Sequence, residues 1–318
     1  MKYFMQSSVC VCVLSFSLYL SLSLSLSQSL SISLSLPGFS FLSRCAGLLS
    51  RLVSVPTALE AISTESTYRL FCQTIAMTVL MKRKNVQIME YLNTKIEKDS
   101  KKLGGKKVTE IIEKEINELV EEKKKIEEII KYISDEQSHL IRTLASLTKI
   151  SENCMNIAVE EKLVYSLLFL FPSPVEEIGE ITPHSVILTP KYPAPAILLG
   201  NAARCLMTFG DDIGRNSLLL FDMNGISNLF ATLPSSYLPI LASSTTSSSS
   251  TTSIPPLLGS VPTHSVQRLI NAMATCSDIR VRRNISIILA KGCRSPNVRA
   301  HVEKFRGLQI MVELQKLL

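Results

Sequence analysis

The sequence predicts an all-α fold, a stacked array of helices preceded by one long charged helix. Three observations carry this. Apolar residues recur at spacings of three and four through most of residues 56–318. A charged stretch within them holds a heptad seam. Further along, three segments repeat one rhythm of long helix, turn, short helix, break and helix, as stacked helical repeats do.

Residues 1–55 stand apart and are set outside the fold. From Tyr3 to Phe41 there is no charged residue, and Ser17 to Leu36 is almost a pure Ser-Leu alternation. Three readings are open. The first and preferred one is low-complexity sequence without a fold of its own. The second is a signal peptide or anchor, from Lys2 and the apolar run Val9–Leu20, although serine dilutes the run and no clear cleavage site follows. The third is a strand, which has no partner in sight. Membrane contact is expected only if this segment is a genuine anchor.

Residues 56–135 read as a helical region. Ser63-Thr64-Glu65-Ser66 supplies a helix start, and the apolar run Leu70–Met81 is too short to span a bilayer. The run ends in Lys82-Arg83-Lys84, which resembles a weak nuclear-localisation signal but is expected to be a solvated helix end. After Gly104-Gly105, residues Ile112, Ile116, Leu119, Ile126, Ile130 and Ile133 form a seam of about three heptads, with Lys123 in one slot. Glu110–Lys114 and Glu121–Lys125 flank it at a favourable spacing. A short coiled coil and a long helix packed on the following array both fit, and the lysine favours the second.

Residues 136–318 carry the repeat. The segments Asn153–Leu168, Asn216–Phe230 and Asn297–Val312 are each a short amphipathic helix, a break at Lys162, Gly225 or Gly307, and a second apolar helix. A glycine at the break is expected to stop the first helix in the left-handed conformation. Longer helices precede them at Gln137–Ile150, Pro195–Phe209 and Ile279–Cys293. Residues 234–263, with only Ser and Thr from 243 to 253, form a flexible insertion between the second and third units.

This pattern resembles the armadillo (ARM/HEAT-like) repeat family, most closely from Val266 to Leu318. There Cys276–Lys291 looks like the family's third helix, and Ser295 onward like the first two helices of another unit. Gly200–Leu233 is the next match, and Gln137–Phe171 the weakest. The resemblance implies an α-solenoid with a right-handed superhelical twist. It also implies that third helices line a concave groove holding an extended partner segment. Import receptors of the family place Trp, then Asn four residues on, along that helix. Ile287 and Lys291, Arg204 and Thr208, and Ala145 and Lys149 occupy those positions here, so classical import-signal binding is not expected.

Instead, Lys149, Arg204, Arg283 and Lys291 are expected to make a basic groove. It would take an acidic or phosphorylated protein segment through charge-assisted hydrogen bonds. The charge distribution agrees: residues 265–318 hold ten Lys and Arg against three Asp and Glu, so they carry the whole formal charge of +7.

Chemistry is sparse. The eight cysteines include no C-x-x-C pair and the four histidines are far apart, so no metal site is expected. Singly scattered cysteines in apolar helices suggest core thiols in a reducing compartment, cytoplasmic or nuclear. No phosphate loop, nucleophile elbow or H-E-x-x-H motif occurs. Asp211-Asp212 and Glu176-Glu177 with Glu180 sit beside turns, where acids cap helices. The expected function is a scaffold or adaptor without enzymatic activity or cofactor. One alternative is a co-chaperone or assembly factor of the tetratricopeptide and armadillo kind. Another is nucleic-acid binding through the basic C-terminal unit, disfavoured because Arg280-Val-Arg282-Arg283 lacks neighbouring aromatics for base stacking.

Overall fold

The computed structural model describes residues 36–101, 109–148, 154–161, 163–171, 194–209, 222–223 and 263–315. These form helices α1 (Leu36–Leu52), α2 (Pro56–Ile62), α3 (Glu65–Ser100), α4 (Thr109–Leu147), α5 (Cys154–Glu160), α6 (Leu163–Phe169) and α7 (Ala196–Thr208). After them come α8 (Ser265–Thr275), α9 (Ile279–Gly292), α10 (Pro296–Lys304) and α11 (Gly307–Gln315). One two-residue antiparallel pair, β1 (Asp222–Met223) with β2 (Thr263–His264), matches Asp222 to His264. The described chain is all-α apart from that pair. Among its residues, no helix is long and apolar enough to cross a membrane.

Helices α3 and α4 are long because nothing interrupts them: neither contains Gly or Pro. Thr64 starts α3 as its N-cap, its hydroxyl accepting from the Thr67 amide at 3.2 Å. At 39 residues, α4 is about 58 Å long at 1.5 Å per residue. The seam expected from the heptads faces inward. Leu119 and Ile133 are buried and Ile116, Ile126 and Ile130 half-buried, with exposed Glu and Lys between them. Lys123, in the seam's polar slot, meets Glu127 at 3.7 Å. Helix α4 packs most extensively along α3, the helix before it, a pairing that neither seam reading anticipated, and it also packs on α7.

Four features of these elements differ from the sequence reading. Asp222–Met223, expected in the short helix before Gly225, pair instead as β1 with Thr263–His264. Residues 36–52, grouped with the low-complexity segment, form α1, which packs on α4 and buries Ala46, Leu49 and Ser50. The boundary at 135/136 falls inside α4: no breaker separates the charged heptads from the first repeat helix, so they are one rod. Lys82-Arg83-Lys84 lies in the middle of α3 and not at a helix end. There Lys82 is half-buried, and desolvation pushes its ammonium down to about 8.

Each further helix adds to one continuous core running from Ala46 to Val302. Helix α4 packs on α7 and α7 on α9, while α8 touches α6, α9, α10 and α11. Phe71, Ile75, Leu144, Leu167 and Leu206 are fully buried within it. Cys72, Cys154 and Cys205 lie there, behaving as small hydrophobes. Burial pushes the Cys205 thiol up to about 12. At the edge, Arg69 forks onto Glu160 (2.9 Å) and Glu161, and Gln73 donates to Glu161 at 3.1 Å, tying α3 to the end of α5. The Ser-Leu alternation, Gly104-Gly105, Lys149, Lys162, Gly225 and the Ser/Thr run all lie outside the described residues.

The break at Gly307 works differently from the expectation. The left-handed residue is Arg306, with φ of 56°, and Gly307 opens α11. Glycine is needed for close approach instead: a Cβ there would lie 2.8 Å from Ile270 Cδ1 and 2.9 Å from Val302 Cγ1. The two positions therefore respond oppositely. Gly307→Ala should cost about 1–3 kcal/mol by overpacking. Arg306→Gly should gain up to about 1 kcal/mol by relieving the left-handed backbone. Urea midpoints compare them; equal shifts of one sign would refute the assignment.

Candidate functional site

The site is the solvent side of three helices packed in succession, α4, α7 and α9. Helix α7 is enclosed on three sides. Gly200 brings it close to α9, where a Cβ would meet Val281 Cγ2 at 3.6 Å. Asn201 Nδ2 donates to the Ser138 carbonyl (3.1 Å) and hydroxyl (2.8 Å) on α4. Leu198, Leu199, Ala202, Ala203, Cys205 and Leu206 face the core. Between the two flanks, Ile197 and Arg204, seven residues apart and therefore on one face, reach solvent. Ile197 is 66% exposed.

Helix α9 repeats the arrangement. Val281, Ile285, Ile288, Leu289 and Gly292 are buried, which turns Ile279 (53% exposed) and Arg283 outward. Ile287 and Lys291 are half-buried on the same side. The basic run is not a uniform patch. Asp278 caps the helix by accepting from the Arg280 amide at 2.8 Å, and its carboxylate pairs Arg280 Nη2 at 2.8 Å. These bonds hold Asp278 at about 2. Arg282 Nε donates to the Cys276 carbonyl. Arg280 and Arg283 are the exposed members of the run; unlike Arg280, none of Arg283, Arg204 and Lys291 has an ion-pair partner among the described residues.

The structure thus places Arg204 on α7 and Arg283 and Lys291 on the neighbouring α9, while Lys149 lies outside the described residues. Of the two positions expected for the weakest unit, Ala145 is buried at 4% exposure and Lys149 is not among the described residues. The Asn201–Ser138 bond brings Arg142, with half-buried Ser146, to the open side of α4 instead. Sequence reasoning missed Arg142. Its signal was the buried series Leu140, Ile141, Leu144 and Leu147, which leaves 142 on the opposite side.

Next to Arg142, the half-buried His139 crosses to α1. Its Nδ1 lies 3.2 Å from Ser50 Oγ, and its ring lies over Gly47, whose Cβ position is 3.5 Å from Nε2. The Ser50 hydroxyl donates to the Gly47 carbonyl at 2.9 Å, so it can only accept from His139, which assigns the proton to Nδ1. Burial foremost, with Arg142 and Arg51 opposing a pull from Asp135, lowers the imidazole pKa and favours the neutral ring. Arg51 is exposed on α1.

No group of three His, Cys, Asp or Glu among the described residues could hold a metal ion. Asp211-Asp212 and the Glu176–Glu180 cluster lie outside those residues. Comparison of the chain with protein-family models, curated proteins and solved structures finds no match.

Proposed function

We propose that the protein is a non-enzymatic interaction scaffold, an armadillo-like solenoid. Its open α4–α7–α9 face binds an extended acidic segment of a partner protein. The observation that carries this reading is the pairing, on two packed helices, of exposed isoleucine with basic residues that have no ion-pair partner among the described residues: Ile197 with Arg204, and Ile279 with Arg283 and Lys291. An acidic segment with interspersed apolar side chains complements both features. The two helical series α4–α7–α9 and α6–α8–α11 are the adjacency expected if successive repeats stack on like faces, which supports the solenoid reading.

The neutralised Arg280 and the engaged Arg282 weigh against the nucleic-acid alternative, because a continuous basic strip is what phosphate tracking needs. The test uses the full chain, with a nine-residue Asp/Glu peptide carrying two isoleucines and, in parallel, a single-stranded DNA oligonucleotide. Fluorescence anisotropy reads both. The Arg204→Glu, Arg283→Glu, Lys291→Glu triple variant should bind the peptide at least about tenfold more weakly at unchanged helical circular dichroism. Equal binding by both proteins refutes the face. Tighter binding of DNA, falling steeply with salt, transfers the assignment to nucleic acid.

A further inference from the structure

The row of exposed arginines does not stop at α4. Helix α1 also packs on α4, without extensive contact to α7, and brings Arg51 to the corner where His139 meets Gly47 and Ser50. Arg51 follows Ser50 directly in sequence, and Arg142 lies one helical turn after His139. The two guanidinium groups, from different helices, both lie close enough to this imidazole to act on it electrostatically. Both arginines are exposed. The acid of this corner, Asp135, one turn before His139, makes no ion pair with either. Arg44, also exposed, stands two turns before Arg51 on the same side of α1.

We propose that Arg51 and Arg142, with His139 between them, seat a dianionic phosphomonoester, namely a phosphoserine within the segment that lies across α7 and α9. The inference rests on the acidic-segment reading and names what its α1 end takes. Two guanidinium forks offer parallel N–H donors, which match the several oxygens of a phosphate better than the two of one carboxylate. Successive helix axes stand about 8–10 Å apart, so α1, α4, α7 and α9 span roughly 25–30 Å. An extended segment covers that in about eight or nine residues at ~3.3 Å each. A peptide fits this line of single arginines on successive helices. His139 would not need to touch the phosphate, because a dianion held between its two arginine neighbours would raise the depressed imidazole pKa by proximity.

The test separates this seat from the α7–α9 face. Two nine-residue peptides are titrated against the full chain. One is Gly/Ala with a single central phosphoserine, measured against its unphosphorylated form; the other is the unphosphorylated acidic peptide. The phosphoserine peptide should bind wild type in preference to its unphosphorylated form. Arg51→Gln with Arg142→Gln should weaken it about tenfold or more and abolish the preference. Arg204→Gln with Arg283→Gln should change it by less than about threefold. On wild type, the His139 resonance, identified by its loss in His139→Gln, should titrate at higher pH once the phosphoserine peptide is bound. This readout needs no arginine variant to fold.

Wild type showing no preference for phosphoserine overturns the seat. So does an Arg51/Arg142 variant that binds like wild type, or a His139 titration that does not move. Failure of the acidic peptide alone overturns the α7–α9 reading and is recorded separately from the phosphoserine result.

Discussion

At pH 7 the Glu136→Gln variant should unfold at a higher urea concentration than wild type, by an amount corresponding to about 1–3 kcal/mol. Glu136 lies on α4, which packs against α1, α3 and α7, and is 2% exposed. Its Oε1 has no hydrogen-bond partner among the described residues. Burial alone pushes its carboxyl up to about 8. The sign follows from linkage. A carboxyl whose folded pKa lies above its unfolded value holds its proton more tightly when folded, so ionisation favours unfolding. Wild-type stability therefore carries a term that is most favourable below about pH 4.5, falls as pH rises, and levels off above about pH 8. Glutamine is neutral throughout and lacks this term. The difference between the two unfolding free energies, measured from pH 5 to 9, should grow with pH and then flatten. A constant difference would mean that Glu136 is solvated or paired.

Arg268→Ala should be the most damaging single change at the junction between the N-terminal helices and α8, costing about 3 kcal/mol. Arg268 is 4% exposed; its Nη1 donates to the Phe171 carbonyl at 3.1 Å, and its guanidinium lies 5.0 Å from the centre of the Phe169 ring. Alanine would orphan that carbonyl, remove the cation–π contact and leave a cavity between α6 and α8. Arg268→Lys retains the charge and stem but loses the planar fork, so an intermediate loss is expected. Urea unfolding of the three proteins gives the order wild type, lysine, alanine. An alanine variant within about 0.5 kcal/mol of wild type would show that Arg268 does not hold the junction.

The helices were legible wherever one periodicity ran uninterrupted. The limits of α7 and α9 fall within one residue of those expected, because Pro195 and Asp278 mark their starts. The single rod of α4 was hidden by a change of surface chemistry near residue 135, from charged to neutral, which reads like a boundary although no helix breaker is present. Helix α1 was hidden by the Ser-Leu composition before it, yet Ala46, Leu49 and Val53 already follow helical spacing.

At the site, Arg204 and Arg283 could be named from the register that the armadillo resemblance implies for the third helix, and each stands opposite a buried stripe. Arg51 could not be named. Its place depends on α1 docking against His139, a contact across 89 residues of sequence that no local pattern encodes. Gly307 was identified as a break for the wrong physical reason, since crowding by Ile270 becomes visible only once α8 and α11 meet.

The central claim, that an acidic segment lies on the open α4–α7–α9 face, is tested most directly by photo-crosslinking. The full chain is irradiated with the acidic peptide carrying a benzophenone in place of one isoleucine, and the adducts are mapped by mass spectrometry. Crosslinks should cluster on Ile197, Arg204, Ile279, Arg283, Ile287 and Lys291, and unlabelled peptide should compete them away. Competed crosslinks on Leu308 and Val312 of α11, or on Tyr91 of α3, with none on α7 and α9, would contradict the claim and move the binding surface to another exposed apolar site.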